Sequence, residues 1–339
     1  MNQEKFLNKI LYLLAAASIF GAGWYAGNWG HHSMNGGHHK HRWVKAKNFR
    51  FTSPLLDVEL PEGMVVGFRP IPFKYKIEEF AKRQREKGHV QRLSVYFRDL
   101  QDGPWFGINQ DDEFNPASMM KVPVMIAWLK RAEKDPKALT STIFFDGKED
   151  LSASQEIKPK QTIAPLRRYS VNELLHYMLN YSDNNATKLL FEKLKANELD
   201  AVLDGMDIEN NPTEAGNSIS VHGYSGFFRI LYNASYLNRE MSEKALELLS
   251  REDFPQGISA GLPDGIPLAA KFGEQTGKGP QGEYKQLHEF GIVYHPKSPY
   301  IIGVMTQGKD IGMLADTIRE ISRLIYSEVE KSTSMALSR

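Results

Sequence analysis

Apolar positions recur with helical spacing across residues 75–87, where Ile77, Phe80 and Ala81 share a face and Gly88 ends the run. The period then changes. Leu93, Val95 and Phe97 alternate with their neighbours across 92–100, which predicts a strand. Gln101-Asp102-Gly103-Pro104 supplies a turn, and residues 105–108 return as the partner strand. A mostly helical middle follows, with helices predicted over 121–133, 170–180, 185–196 and 226–237. Strand-like runs come next at 268–272, 290–294 and 301–306, and a long helix from about 311 to 331 closes the chain. This order predicts an α+β domain, with a mixed sheet and one all-helical side.

The first residues follow a different pattern. After Lys5 and Lys9, residues 10–29 carry no charge, a length that can cross a bilayer as a helix. Trp24, Tyr25 and Trp29 cluster at its far end, as interfacial aromatics do. Residues 1–29 are therefore expected to be a membrane anchor. The rival reading is a cleaved signal with its apolar core at 10–20 and a small-residue site at Gly21-Ala22-Gly23. Lys40, Arg42, Lys45 and Lys47 follow, so positive charge does not settle the orientation. Residues 30–60 read as a basic linker in which His31, His32, His38, His39 and His41 are expected to be solvated rather than metal-bound. Residues 61–339 then form one large domain.

Composition narrows the chemistry. The 339 residues are 41% hydrophobic and 24% charged, an ordinary globular balance. A net charge of +1 gives no electrostatic case for nucleic acid. The absence of cysteine excludes disulfides, thiolate metal sites, a cysteine nucleophile and a lipid-modified N-terminal cysteine.

Three stretches carry candidate chemistry. In Asn115-Pro116-Ala117-Ser118-Met119-Met120-Lys121, the serine and lysine stand three residues apart at the start of an apolar helix, so they share a face. A serine hydroxyl needs a neighbouring base, and a lysine serves only if burial depresses its pKa. The run from Val122 to Leu129 is apolar enough to bury Lys121. The helix N-terminus is aimed at any oxyanion formed on Ser118. The second stretch, Tyr181-Ser182-Asp183-Asn184, lies between two predicted helices. It reads either as an N-cap or as a loop offering a hydroxyl for proton relay and an amide for a substrate carbonyl. The third, Ala270-Lys271-Phe272-Gly273-Glu274, ends a predicted strand. Lys271 would add a cation there, and Gly273 would let a substrate backbone approach.

In this order the three stretches resemble the S-x-x-K, S-D-N and K-T-G set of class A β-lactamases and penicillin-binding proteins. Phe106-Gly107-Ile108-Asn109, Gly261-Leu262-Pro263-Asp264-Gly265 and Phe290-Gly291-Ile292-Val293-Tyr294 also look like the class A family, and the likeness runs from about residue 78 to 325. The resemblance implies a β-lactamase/transpeptidase-like α/β sandwich. Its mixed antiparallel sheet is flanked by N- and C-terminal helices and joined to an all-helical subdomain. It implies Ser118 as the acylated nucleophile, Lys121 as proton acceptor and Ser182 as the relay to the leaving nitrogen. Asn184 would bind substrate or Lys121, and Lys271 would help hold the substrate carboxylate and tune Ser182, with Gly273 beside it. The backbone N–H groups of Ser118 and Glu274 would form the oxyanion hole. The implied ligand is a β-lactam or a peptidoglycan stem peptide, handled outside the cytoplasm with no metal or cofactor.

Two departures from the family pattern stand out. Phe272 replaces the usual threonine, so either Thr276 supplies that hydroxyl or the phenyl ring narrows the cleft. The Glu-x-x-x-Asn pattern that activates the deacylating water is missing. Glu209 and Glu214 are the glutamates in its span, and neither has an asparagine four residues on. Three functions are therefore carried forward: a β-lactam-acylated serine hydrolase, a D-alanyl-D-alanine carboxypeptidase, and a binding domain that does not turn over. His176, His222, His288 and His295 show no partner pattern and are expected to be structural.

Overall fold

A computed structural model describes residues 50–53, 71–101, 103–153, 155–206, 208, 211–213, 216–280 and 282–337. The expected anchor (1–29), most of the linker (30–60), Glu209 and Glu214 lie outside the described residues. Among the described residues, no helix is long and apolar enough to cross a membrane.

The centre of the domain is a five-stranded antiparallel sheet. Its strands are β1 (Arg92–Asp99), β2 (Trp105–Ile108), β8 (Leu268–Gly279), β9 (Gly282–Val293) and β10 (Tyr300–Gly308), in the order β2-β1-β10-β9-β8. Side chains alternate across a strand, and β1 shows how this divides the core. Leu93, Val95 and Phe97 face one layer, with Ile77 and Phe80 of helix α1 (Lys74–Glu86) and Leu314, Ile318, Ile321 and Ile325 of the C-terminal helix α8 (Ile311–Leu337). Tyr96 faces the other layer, which is the helical block.

That block contains α2 (Lys121–Lys134), α3 (Val171–Asn180), α4 (Asn184–Glu192), α5 (Ala196–Gly205), α6 (Val221–Asn233) and α7 (Arg239–Leu249). Two small sheets lie beside it. One pairs β4 (Thr142–Phe145) with β5 (Arg167–Ser170), and the other joins β3 (Glu113–Phe114), β7 (Gly216–Ser220) and β6 (Asn211–Thr213). Local chemistry fixes the helix starts. Ser170 and Glu173 form a reciprocal capping box at α3, while Ser220 and Asn238 accept from Gly223 N–H and Met241 N–H at α6 and α7.

The predicted architecture matches the structure, but several bounds need correction. The last strands run longer than 268–272, 290–294 and 301–306, because β8 and β9 continue outward as a two-stranded ribbon with little apolar content. The helix predicted at 226–237 begins at Val221 and ends at Asn233, where Ala234 turns left-handed (φ 48°). Helices α5 and α7 were not predicted. Ser118 lies in a short 3-10 turn, Ala117–Met120, which leads into α2 rather than belonging to it.

Candidate active site

The turn that carries Ser118 is held under backbone strain. Ala117 has φ 48°, a left-handed conformation that a non-glycine residue adopts only when its surroundings impose it. Three contacts impose it. Asn115 Oδ1 accepts from Ala117 N–H at 2.9 Å, Tyr224 Oη donates to Met119 O at 2.8 Å, and His288 touches Asn115 O at 3.1 Å. The His288 tautomer follows from its partners. Nδ1 faces the Thr306 N–H at 3.1 Å and must accept, so the proton is on Nε2 and donates to Asn115 O. Burial pushes the His288 pKa down to about 3.

In the 3-10 turn, positions i and i+3 eclipse, so Ser118 and Lys121 point to the same side. Both line a cavity of about 440 Å³ with Asn184 and Glu274. Lys121 is 3% exposed. Its Nζ lies 2.7 Å from Ser182 O, 2.8 Å from Asn184 Oδ1 and 3.0 Å from Ser182 Oγ. The first two groups only accept, while the Ser182 hydroxyl can donate. An ammonium donates to all three, while a neutral amine donates to Ser182 O and Asn184 Oδ1 and accepts from Ser182 Oγ. The contacts thus fit both forms, and burial is what favours the neutral one. Burial, followed by the nearby Lys271 cation, pushes the Lys121 pKa well below the ordinary lysine value. None of these three contacts reaches Ser118, so the Ser118–Lys121 pair shares a cavity without a mutual hydrogen bond.

The Ser182 loop is pinned from behind. Ser182 has φ 56°, and the Asp183 carboxylate accepts from Asn185 N–H at 2.8 Å and Ile163 N–H at 2.9 Å. Asp183 thus caps α4 and fixes the chain on either side of Ser182 and Asn184. Gln155 Nε2 also donates to Ser182 O, at 3.1 Å.

Strand β8 closes the other wall, and three expectations change there. Lys271 is 0% exposed and pairs with Glu252 at 2.7 Å, with its amine 4.1 Å from the Phe272 ring centre. It therefore meets an internal carboxylate, contrary to the expectation that it holds substrate. Burial depresses this amine and raises Glu252, and their mutual attraction opposes both shifts. Phe272 does not narrow the cleft. The pleat turns it to the opposite face, 3% exposed and stacked on Phe254 at 4.4 Å, where burying such a ring contributes about 1.5–3 kcal/mol. Gly273 admits the chain itself, because a Cβ there would come within 2.6 Å of Pro116 O and 3.0 Å of Met119 N. The glycine seats the nucleophile turn against the strand edge, where a substrate backbone had been expected.

β8 is an edge strand, so alternate N–H groups point away from the sheet. Phe272 N–H uses that edge to donate to Glu252 Oε1 at 2.7 Å. Two residues on, the pleat aims Glu274 N–H the same way, toward the Ser118 turn. Glu274 lines the cavity, and its carboxylate accepts from Glu156 N–H at 3.1 Å and from Ile157 N–H and has its pKa raised by burial. Thr276, the candidate replacement hydroxyl, donates to Glu156 Oε2 at 3.0 Å.

Gln155, Glu156, Asn217, Glu252 and His288 complete the surroundings, and their sequence positions do not reveal it. Asn217 of β7 lines the cavity directly. Among the described residues no cluster suited to a metal ion occurs.

The sequence pattern of the β-lactamase enzyme family matches residues 72–329. Solved structures with the same fold include a β-lactamase from Sphaerobacter thermophilus, with 19% identity over 76% of this chain and 97% of that one, TM-score 0.64. A variant of PBP-A, in acyl-enzyme complex with penicillin G, shows 22% identity over 78% and 100%, TM-score 0.62. A class A β-lactamase from Mycobacterium abscessus shows 22% over 75% and 98%, TM-score 0.61. Among curated proteins, no sequence matches.

Proposed function

Since the chain belongs to the β-lactamase enzyme family and is a serine hydrolase of that fold, we propose that it works through an acyl-enzyme on Ser118 that forms readily and is released slowly. The observation that carries this reading is the Lys121 amine, buried, bonded to Ser182 and Asn184, and sharing a cavity with Ser118.

Ser118 Oγ attacks the carbonyl carbon of a β-lactam or stem-peptide amide, and its proton goes to Lys121 Nζ. The carbonyl oxygen takes the negative charge between the N–H groups of Ser118 and Glu274, near the positive end of α2. As the C–N bond breaks, Ser182 Oγ gives its proton to the leaving nitrogen and takes one from Lys121, so the amine ends neutral. Asn184 holds both Lys121 and the substrate amide.

Release needs a base for water. Among the described residues that line the cavity, the carboxylate is Glu274, and it is tied to two backbone N–H groups. The missing Glu-x-x-x-Asn pattern supports a persistent ester, hence a penicillin-binding type of behaviour rather than rapid β-lactam turnover. In this reading residues 10–29 anchor the domain to a membrane and the site works outside the cytoplasm.

The test is covalent labelling of the full-length chain with a fluorescent penicillin. A label lost in Ser118→Ala supports the assignment, and a label that survives refutes it.

A further inference from the structure

The cavity at Ser118 changes character along its helical side. Two helices line it there, α2 through Lys121 and Val124, and α4 through Asn184, Thr187 and Phe191. Spacings of three and seven residues put each set on one helix face. The helices run in the same direction. Lys121 Nζ meets Asn184 Oδ1 at 2.8 Å, and further along both chains Trp128 Nε1 donates to Leu190 O at 3.2 Å. At about 1.5 Å of rise per residue, the wall from Asn184 to Phe191 is about 10 Å long. Its first turn is polar, with Lys121 and Asn184. The next carries Val124 and Thr187, and the Thr187 hydroxyl is spent on its own helix, donating to Asp183 O at 2.7 Å. The last carries Phe191, joined by Leu199 of α5. Phe191 is 54% exposed. A lone exposed ring is common on protein surfaces, but this one ends an apolar wall that starts beside the nucleophile.

Resting on the Ser118 acyl-enzyme reading, we propose that this wall receives the acyl half of the substrate and selects one that ends in an extended apolar group, an alkyl chain or an aromatic ring. The direction follows from the reaction. The leaving nitrogen takes its proton from Ser182, so the leaving half departs on that side. The carbonyl half, whose amide Asn184 holds, continues past Thr187 and Val124 to Phe191 and Leu199. A polar group next to the carbonyl then meets the polar turn, and the apolar end covers Phe191 and Leu199 from water. Phe191 and Leu199 are thereby specificity-determining residues.

Two penicillins test this, one with a methyl and one with an n-heptyl group on the side-chain amide. They share the reacting ring and the carboxylate and differ only in the apolar end of the acyl half. The second-order rate of Ser118 adduct formation in the full-length chain would be followed by intact mass with each. A methylene taken out of water changes such a rate constant by about fourfold, so the heptyl compound should react faster by on the order of tenfold or more. Phe191→Gln keeps the helix and alters a half-exposed position, so the variant should fold. It should shrink the ratio by slowing the heptyl compound more than the methyl one. A wild-type ratio near or below one, or a ratio unmoved by Phe191→Gln, overturns the proposal while leaving the acyl-enzyme intact. Failure of both compounds to modify Ser118 removes the acyl-enzyme reading and this proposal with it.

Discussion

Acid should loosen the turn that carries Ser118, and His288 sets the range over which this happens. Its ring is fully buried, its Nδ1 must accept from Thr306 N–H, and its pKa is pushed down to about 3. In the unfolded chain it titrates near 6.5. Because the folded value is the lower one, the unfolded state binds the extra proton between these limits, and stability falls as pH drops below 6.5. One pKa unit corresponds to about 1.36 kcal/mol, so His288 costs about 2 kcal/mol at pH 5 and nears about 5 kcal/mol at pH 3. Other groups titrate in the same range, so the comparison is with His288→Gln. Glutamine offers an acceptor to Thr306 and a donor to Asn115 and stays neutral. Urea unfolding of both proteins at pH 7.5 and pH 5 should show the wild type losing about 2 kcal/mol more than the variant. Equal losses would refute the assignment of a neutral, buried His288.

Two further substitutions probe the site. Lys121→Ala should slow acylation of Ser118 by roughly 10²–10⁴-fold, the usual cost of losing a general base, and stopped-flow with a chromogenic cephalosporin measures it. A near-normal rate would identify another proton acceptor. Glu252→Ala leaves Lys271 as an unpaired cation at a fully buried position, a change that typically destabilises by about 3–5 kcal/mol. Denaturant unfolding reads this out, and a loss below about 1 kcal/mol would mean that Lys271 finds another partner or is held neutral.

The sequence revealed the order of elements, because the switch from helical to alternating periodicity is local. It also led to Ser118 with Lys121 and to Ser182 with Asn184 as two local pairs, because neighbours along the chain remain neighbours in a turn. Only the resemblance to an ordered motif set joined the pairs across 61 residues. The ribbon from Glu274 to Lys285 was missed, since strands paired mainly to each other need no apolar alternation. The helix Arg239–Leu249 left a readable signal in the Asn238 cap and the shared face of Ala245, Leu246 and Leu249, which the prediction ending at residue 237 passed over. Phe272 could have been turned the right way from its position between Lys271 and Gly273 on a pleated strand. Glu252, Glu156 and His288 could not be placed, because each meets its partner across 19 or more residues, a distance no spacing rule covers.

The most direct test of the central claim is the pH dependence of Ser118 acylation by a β-lactam ester, measured from pH 6 to pH 10 by intact mass. If Lys121 is the neutral base that its burial favours, the rate should level off well below the ordinary lysine value of about 10.4. A rate that climbs tenfold per pH unit toward the ordinary lysine value of about 10.4 would show Lys121 to be charged at rest, and would contradict its role as the base.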